Sequence, residues 1–434
     1  PLMSLVDTAA VGQFSSLHLA ALAPNTSIFN LFFQLFTFLG ITTTSLIARR
    51  AASAAGLPPA EAAARRDASS RVLGHAMVLA LGCGLACCGV MLAFGPAMLS
   101  ALGASPETLG PALSYLRIRA LASPAVMVAN VAQGALLGQS DSWTPLKVLA
   151  ASGALNLGLD YLLVIQAGWG ITGAAVATTA AQVLAAAFFL VYLQRRGEAG
   201  ELVPLRWHGL PTAATLGPFW DMASTLLSRT LFTMLAYTSL TTAATGLGTF
   251  CAAAHQVGLQ VFWFLSEAPQ ALSVTGQSLI ARERRRPATA RAIVHTLLRL
   301  GGAFGAAMAG TFALLMTHAS WLFTADPMVQ TLVSGLALPG AVALLLCAVV
   351  MVFDGASIGM GRFRHLPTCN LGGLAATGGA LALASHLGLG LAGTWFSLLG
   401  FFGARQALHL LHHRTGWQQG LFGNGPLQPA LAPP

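Results

Sequence analysis

Charged side chains along this chain are few and clustered, with long uncharged stretches between the clusters. Asp7 and Arg49 bracket 41 uncharged residues, Arg71 and Glu107 bracket 35, and Asp160 and Arg195 bracket 34. Arg229 and Glu267 bracket 37, and Arg364 and Arg405 bracket 40. A spanning helix needs about 20 apolar residues to cross about 30 Å of hydrocarbon, so each long run holds parts of two spans joined by an uncharged turn. Glycines at Gly12, Gly168–Gly170, Gly246–Gly248 and Gly388–Gly390 are expected to make those turns. Counting in this way predicts about twelve spans. Unbroken apolar runs, in place of short alternating strands, predict helices and exclude a barrel.

Composition sharpens this reading. Of 434 residues, 55% are hydrophobic and 8% charged, with mean hydropathy +0.71. A soluble domain carries about 25% charged residues, so this chain cannot cover a water-facing globule. Disorder is excluded by the same numbers, since it requires low hydrophobicity and high charge. The fold class predicted is an all-α polytopic membrane protein.

Arginine positions set the orientation. Arg49, Arg50, Arg65, Arg66 and Arg71 follow the second span, Lys147 the fourth, and Arg195, Arg196 and Arg206 the sixth. Arg282, Arg284, Arg285, Arg286 and Arg291 follow the eighth, Arg362 and Arg364 the tenth, and Arg414 the twelfth. The opposite loops, near 13–19, 100–107, 166–170, 247–250, 319–327 and 386–390, contain no Lys or Arg. This asymmetry is the positive-inside pattern. It assigns the +9 net charge to anionic headgroups, with no nucleic-acid partner required. Pro1–Gly12 would span about 18 Å as helix, so the first span is expected to begin before Pro1, where a targeting segment could also lie.

The halves repeat one another. Residues offset by 233 align Ser45-Leu-Ile-Ala-Arg49 with Ser278-Leu-Ile-Ala-Arg282, Phe29 with Phe262, and Thr42 with Thr275. At offsets of 220–221, Gly134 and Gly138 meet Gly355 and Gly359, and Gly170 and Gly173 meet Gly390 and Gly393. Basic clusters on one face in both halves make the repeats parallel. The expected organisation is an N-terminal six-helix lobe at 1–194, a linker at 195–217, a C-terminal six-helix lobe at 218–414 and a flexible tail at 415–434. Two related bundles suit a carrier that rocks between two openings.

Ionisable groups inside a membrane are functional candidates. Asp7 lies in Leu5-Val-Asp-Thr8, and Asn156 and Asp160 stand i, i+4 on one helix face. Low dielectric penalises the charged carboxylate, so these residues are candidates for taking up and releasing a coupling proton. Glu267 precedes Pro269, which removes a backbone donor, leaving cleft and structural roles open for that carboxylate. Asp354 occupies the repeat position of Gln133, and a polar residue before a glycine in both copies points to packing or a helix end. Gln133, Asp354, Glu267, Arg117 and Arg119 are the candidate cleft residues, with Arg229 beside them. Arginines there would suit an anionic substrate, while snorkelling to headgroups is the alternative. His255-Gln256 is expected to make a helix-end hydrogen bond. His409, His412 and His413 are expected at a solvated interface rather than on a metal. The six cysteines form no CxxC pair and read as packing residues. No cofactor or metal is expected. The HExxH, P-loop, GxGxxG and GxSxG motifs are missing, which argues against an enzyme.

Leu5-Val-Asp-Thr8, Leu19-Ala-Ala-Leu22, the Asn156/Asp160 helix, Tyr115-Leu-Arg-Ile-Arg-Ala-Leu121, Asp141-Ser-Trp-Thr-Pro-Leu146, Gly170-Ile-Thr-Gly-Ala-Ala175 and Ala253-Ala-His-Gln256 occur in an order that resembles the multidrug and toxic compound extrusion (MATE) family, DinF branch. Pro1-Leu-Met-Ser-Leu-Val-Asp-Thr8 and Gly12-Gln13 are similar to plant chloroplast-envelope members. The resemblance implies twelve helices in two lobes with an internal pseudo-two-fold repeat, and export by alternating access driven by protons or sodium. It implies that Asp7, Asp160 and Asn156 form the cation-coupling group. The expected protein is a monomeric exporter of a small organic anion or aromatic metabolite, embedded in the bilayer of a chloroplast envelope. An exporter of cationic drugs is the alternative, and a lipid flippase is a more distant one.

Overall fold

The structure, a computed structural model, describes residues 2–54, 58–206, 208–211, 213–283, 286–360 and 365–415. Arg284, Arg285, Arg362, Arg364 and the tail from 416 onward lie outside the described residues. Among the described residues all the regular structure is helical. The helices are α1 (Leu2–Phe14), α2 (Ser16–Leu35), α3 (Thr37–Ala54), α4 (Pro59–Ala101), α5 (Pro106–Ala120), α6 (Ser123–Gly138), α7 (Trp143–Asp160) and α8 (Gly170–Glu198). They continue as α9 (Ala213–Gly246), α10 (Thr249–Arg282), α11 (Pro287–His318), α12 (Pro327–Ser334), α13 (Ala337–Gly359), α14 (Leu366–His386) and α15 (Gly390–Thr415).

The protein is a multi-span membrane protein. Ser16–Ala48, Ala63–Ala101, Trp143–Gln166, Gly170–Glu198, Ala288–His318 and Ala337–Gly359 are each long and apolar enough to cross a bilayer. α5 and α6 together make a further, broken span bent by 48°. Pro124 sits in the first turn of α6, where it lacks an N–H to continue the helix before it. Outward-facing Leu85, Phe94, Leu184, Phe188 and Leu314 are exposed, an apolar surface that lipid can cover and water would not.

The chain divides into two compact units, Pro24–Leu231 and a second that joins Pro1–Ala23 to Phe232–Pro434.

In the unit Pro24–Leu231, α3, α4 and α6 pack together. α3 and α6 cross so closely that a Cβ on Gly134 would lie 2.3 Å from the Gly40 carbonyl oxygen. The Thr44 hydroxyl donates to the Gly134 carbonyl across this crossing at 2.9 Å. Before α7, the Asp141 carboxylate accepts the Thr144 amide at 3.0 Å and the Tyr192 hydroxyl at 3.3 Å. Partial burial works to raise the Asp141 carboxyl, but these hydrogen bonds outweigh it and hold the group below its ordinary value. The stretch after α8 lies against α4: the Ser70 hydroxyl donates to the Pro204 carbonyl at 2.7 Å. Asn25, in a glycosylation-like triplet, is fully buried, and its amide donates to the Ala112 carbonyl at 3.0 Å.

The second unit has an aromatic core in which Phe262, Phe312, Trp395, Phe401 and Phe402 are buried. Around Ile280, Val294, Val352 and Ala356, α10, α11 and α13 meet. A Cβ on Gly355 would lie 2.4 Å from the Ser273 carbonyl oxygen. Ser273 is the repeat counterpart of Gly40, so the α3/α6 crossing of the first unit recurs between α10 and α13. Gly138 rests against Thr44 and Ile47, and Gly359 rests against their counterparts Gln277 and Ile280. The left-handed turns recur too, with φ of 70° and 55° at Gly168 and Gly170 and of 62° and 60° at Gly388 and Gly390.

One expected turn is absent. Gly12 lies inside α1, and its bare Cα lets the backbone pack on the Phe323 carbonyl. Asp326 caps α12 by accepting the Met328 amide at 2.9 Å, and accepts the Ser16 hydroxyl at 2.7 Å. The Ser16 bond is the main reason its carboxyl lies below the ordinary range.

Candidate functional site

The buried face of α7 is polar at one-turn intervals. Ser152, Asn156 and Asp160 lie at i, i+4 and i+8, all buried, with Asp160 1% exposed. The Ser152 hydroxyl donates to the Ala181 carbonyl at 3.0 Å, and the Asn156 amide donates to the Thr178 hydroxyl at 3.2 Å. The Thr178 hydroxyl in turn donates to the Ala174 carbonyl at 2.9 Å. Immediately after Asp160 the helix widens into a π-turn, Tyr161–Gln166. Such turns inside a helix concentrate at functional positions, and this one places a wider backbone ring directly beside a buried carboxylate. Ser152 also borders a groove of about 320 Å³ between α7 and α8, walled by Val148, Leu155, Leu184 and Phe188 with Lys147 at its edge.

Asp7 is buried on α1, in the unit of Phe232–Pro434. Its neighbour Thr8 receives the Gln256 amide at 3.2 Å and donates to the Ser4 carbonyl at 2.8 Å, tying α1 to α10. His255 is not at a helix end as expected. It is fully buried within α10, where its Nδ1 accepts the Trp395 indole N–H at 3.1 Å and its Nε2 faces the Thr241 hydroxyl at 3.0 Å. The Trp395 donor assigns the proton to Nε2, so the ring bonds at both nitrogens while neutral.

The cleft candidates separate. Arg119 is buried; its guanidinium donates to the Gln182 side chain and sits 5.2 Å over the Phe29 ring. Arg117, two residues earlier, is exposed. Gln133 is half-buried on α6, Glu267 is exposed on α10, and Arg229 is half-buried on α9.

Asp354 stands at the centre of a buried charge network. The Arg405 guanidinium donates to its Oδ2 at 2.6 Å, and His409 Nε2 lies 3.0 Å from its Oδ1. Arg405 also covers the Phe401 ring at 5.2 Å. His409 Nδ1 faces His365 Nε2 at 3.3 Å, and the His365 ring stacks on His412 at 4.0 Å. His409 is fully buried, which corrects the expectation of a solvated interface. Sequence reasoning missed Arg405 and misplaced His409. The available signal was their i, i+4 spacing on one face of the last helix, each a polar interruption of an apolar run.

With this geometry established, comparison with known proteins places the chain. The MatE family model matches residues 1–162. Protein DETOXIFICATION 47, chloroplastic, of Arabidopsis thaliana is 30% identical over 424 residues, covering 94% of this chain and 74% of that protein. This chain belongs to the MATE family. DETOXIFICATION 44, chloroplastic, from the same plant is 32% identical over 84% of this chain and 69% of its own length. The DNA damage-inducible protein F of Escherichia coli is 26% identical over 97% and 89%. A solved inward-facing MATE multidrug resistance transporter superposes with TM-score 0.85 at 20% identity, covering 95% and 94%. The MATE fold is therefore shared along nearly the whole chain. The protein is a membrane transporter of small molecules, of a multidrug and toxic-compound export family, and not an enzyme.

Proposed function

We propose that this MATE transporter exports small organic compounds by alternating access, exchanging each for protons. Asp7, Asp160 and Asn156 are the coupling residues in this reading, with sodium as the competing ion. The observation that carries it is the buried Ser152–Asn156–Asp160 face ending at a π-turn. Protonating Asp160 removes a charge from low dielectric and changes what it bonds, and the wide π-turn beside it is the segment able to repack. The carrier in this reading has twelve spans in two repeated six-helix lobes, 1–194 and 218–414 joined by 195–217. This reading takes α1, α2/α3, α4, α5/α6, α7 and α8 as six spans and α9, α10, α11, α12/α13, α14 and α15 as six more, with the start of the first span expected before Pro1. Likeness to chloroplastic relatives supports a chloroplast envelope location, and the chain is taken to act as a monomer.

The substrate class proposed is an organic anion or aromatic metabolite, with Arg117 and Arg119 as the candidate cations and Arg229 beside them. Arg119 is already engaged by Gln182 and Phe29, and this favours a second reading, the export of cationic drugs or toxins. One experiment separates them. The full-length protein in liposomes is given a pH gradient, or a sodium gradient at uniform pH, with labelled salicylate and a cationic dye followed in parallel. Salicylate movement driven by pH and lost in Asp160→Asn is the expected result. Dye movement alone establishes the second reading, and sodium-driven movement reassigns the ion. Undiminished pH-driven transport in Asp160→Asn overturns the coupling assignment.

A further inference from the structure

Two helices of the C-terminal half, α14 and α15, bring together a cluster the transport reading does not use. His365 precedes the first turn of α14, Cys369 lies one turn into it, and His409 lies on α15. One ligand atom from each lies within 4.8 Å of those of the other two. Cys369 is buried and His409 fully so.

The hydrogen bonds set the chemistry of the pair of rings. The Asp354 carboxylate only accepts, so His409 Nε2 carries the proton it shares with Oδ1 at 3.0 Å. That leaves the lone pair of His409 Nδ1 directed at His365 Nε2, 3.3 Å away. Two imidazole nitrogens bound at about 2.0–2.1 Å to one tetrahedral ion lie about 3.3 Å apart. Metal-bound histidines also commonly donate their second N–H to a carboxylate, which holds the ring and raises its basicity. Asp354 occupies that place, with its other oxygen neutralised by Arg405 at 2.6 Å.

We propose that His365, Cys369 and His409 form a binding site for one thiophilic d10 metal ion, Zn(II) or Cu(I), with Asp354 as the positioning residue behind His409. Thiolate and imidazole together select these ions over Mg(II), Ca(II) or Na(I). Because Asp354 and Arg405 cancel, the thiolate is the net charge facing the ion. Cu(I) makes that set neutral with three ligands, while Zn(II) takes a further water. Binding releases the Cys369 proton to solvent and pins the start of α14 to α15. In the sequence, Arg362 and Arg364 precede His365 and Arg414 follows His412, placing the site at the positively flanked end of the helices.

The test is made on full-length protein in detergent after chelator stripping. Zn(II), and separately Cu(I) under anaerobic reductant, are titrated in competition with a chromophoric chelator, and Co(II) serves as the spectroscopic probe. One equivalent of Zn(II) or Cu(I) per chain and a thiolate-to-cobalt charge-transfer band are expected, both lost in Cys369→Ser and in His365→Gln. Asp354→Asn should keep the stoichiometry and weaken binding 10–100-fold. Should the variants aggregate, metal protection of Cys369 from alkylation, read by peptide mass spectrometry in the unaltered protein, decides the matter. Wild-type protein that holds neither ion, or whose Cys369 is alkylated equally with and without them, overturns the proposal. Every readout is binding, so the outcome is independent of which solute or ion is transported.

Discussion

Removing Arg405 tests the buried network most directly. Arg405 and Asp354 are 6% and 4% exposed, and their closest atoms are 2.6 Å apart. With charge centres about 4 Å apart and an effective dielectric near 20, their attraction is about 4 kcal/mol. Truncating one member of such a pair costs about 3–5 kcal/mol, because the remaining charge stays in a site water cannot reach. Arg405→Met preserves most of the aliphatic volume against Phe401 while deleting the charge. It should therefore lower the apparent melting temperature far more than a surface substitution would. Combining Arg405→Met with Asp354→Asn removes both charges and keeps a carboxamide that can still accept from His409 Nε2. The double variant should recover most of the loss, since replacing a buried pair by neutral groups is often close to neutral. Melting is followed in detergent by tryptophan fluorescence, in chelator so that no bound ion adds stability. Equal melting of wild type and Arg405→Met, or a double variant as unstable as the sum of the singles, would refute the reasoning.

Gly134→Ala and Gly355→Ala should each destabilise by about 1–3 kcal/mol, because the new methyl meets a backbone oxygen that can move only with its helix. Gly153→Ala, with open space around its Cα, should be neutral or stabilising by up to about 1 kcal/mol, and comparative melting of the three checks the contrast. Asp326→Ala removes the α12 cap and should cost about 1 kcal/mol, visible as faster amide exchange at Met328. The Asp326 carboxyl is held below its ordinary value of 3.8, so its stabilising contribution is present at neutral pH and is lost as pH falls through the lowered folded value. Once divided by the intrinsic rate at each pH, the protection of the Met328 amide should accordingly fall in acid in the wild type and show no such acid dependence in Asp326→Asn.

Hydropathy made the membrane class legible because burying an uncharged helix in lipid needs only length and apolarity, and both are written in single residues. The turns at Gly168–Gly170, Gly246–Gly248 and Gly388–Gly390 were readable for a similar reason: a positive φ favours glycine. Gly12 misled because the same residue also serves close packing, and nothing local distinguishes a turn from a crossing. The breaks at Phe36, at Leu121–Ala122 and in the π-turn after Asp160 leave hydropathy unchanged, so the apolar pattern runs through them. Asn156 and Asp160 were legible as a pair since a helix places i and i+4 together. Asp354 was not legible as an ion-pair centre, because its partners lie 51 and 55 residues away on another helix. Arg117 and Arg119 looked equivalent in sequence; a helix turns positions two apart toward different surroundings, one exposed and one against Gln182 and Phe29.

The matched crossings of α3 with α6 and α10 with α13 have a consequence for how the copies could diverge after duplication. In each, the residue before the crossing glycine is fixed in space by the backbone contact of its neighbour. Gln133 and Asp354 hold that one address, the first a neutral amide and the second the anchor of a charge network. Architecture and chemistry are thereby inherited separately. A mutation at this address can electrify one copy and leave its twin silent, with no change in how either bundle is assembled.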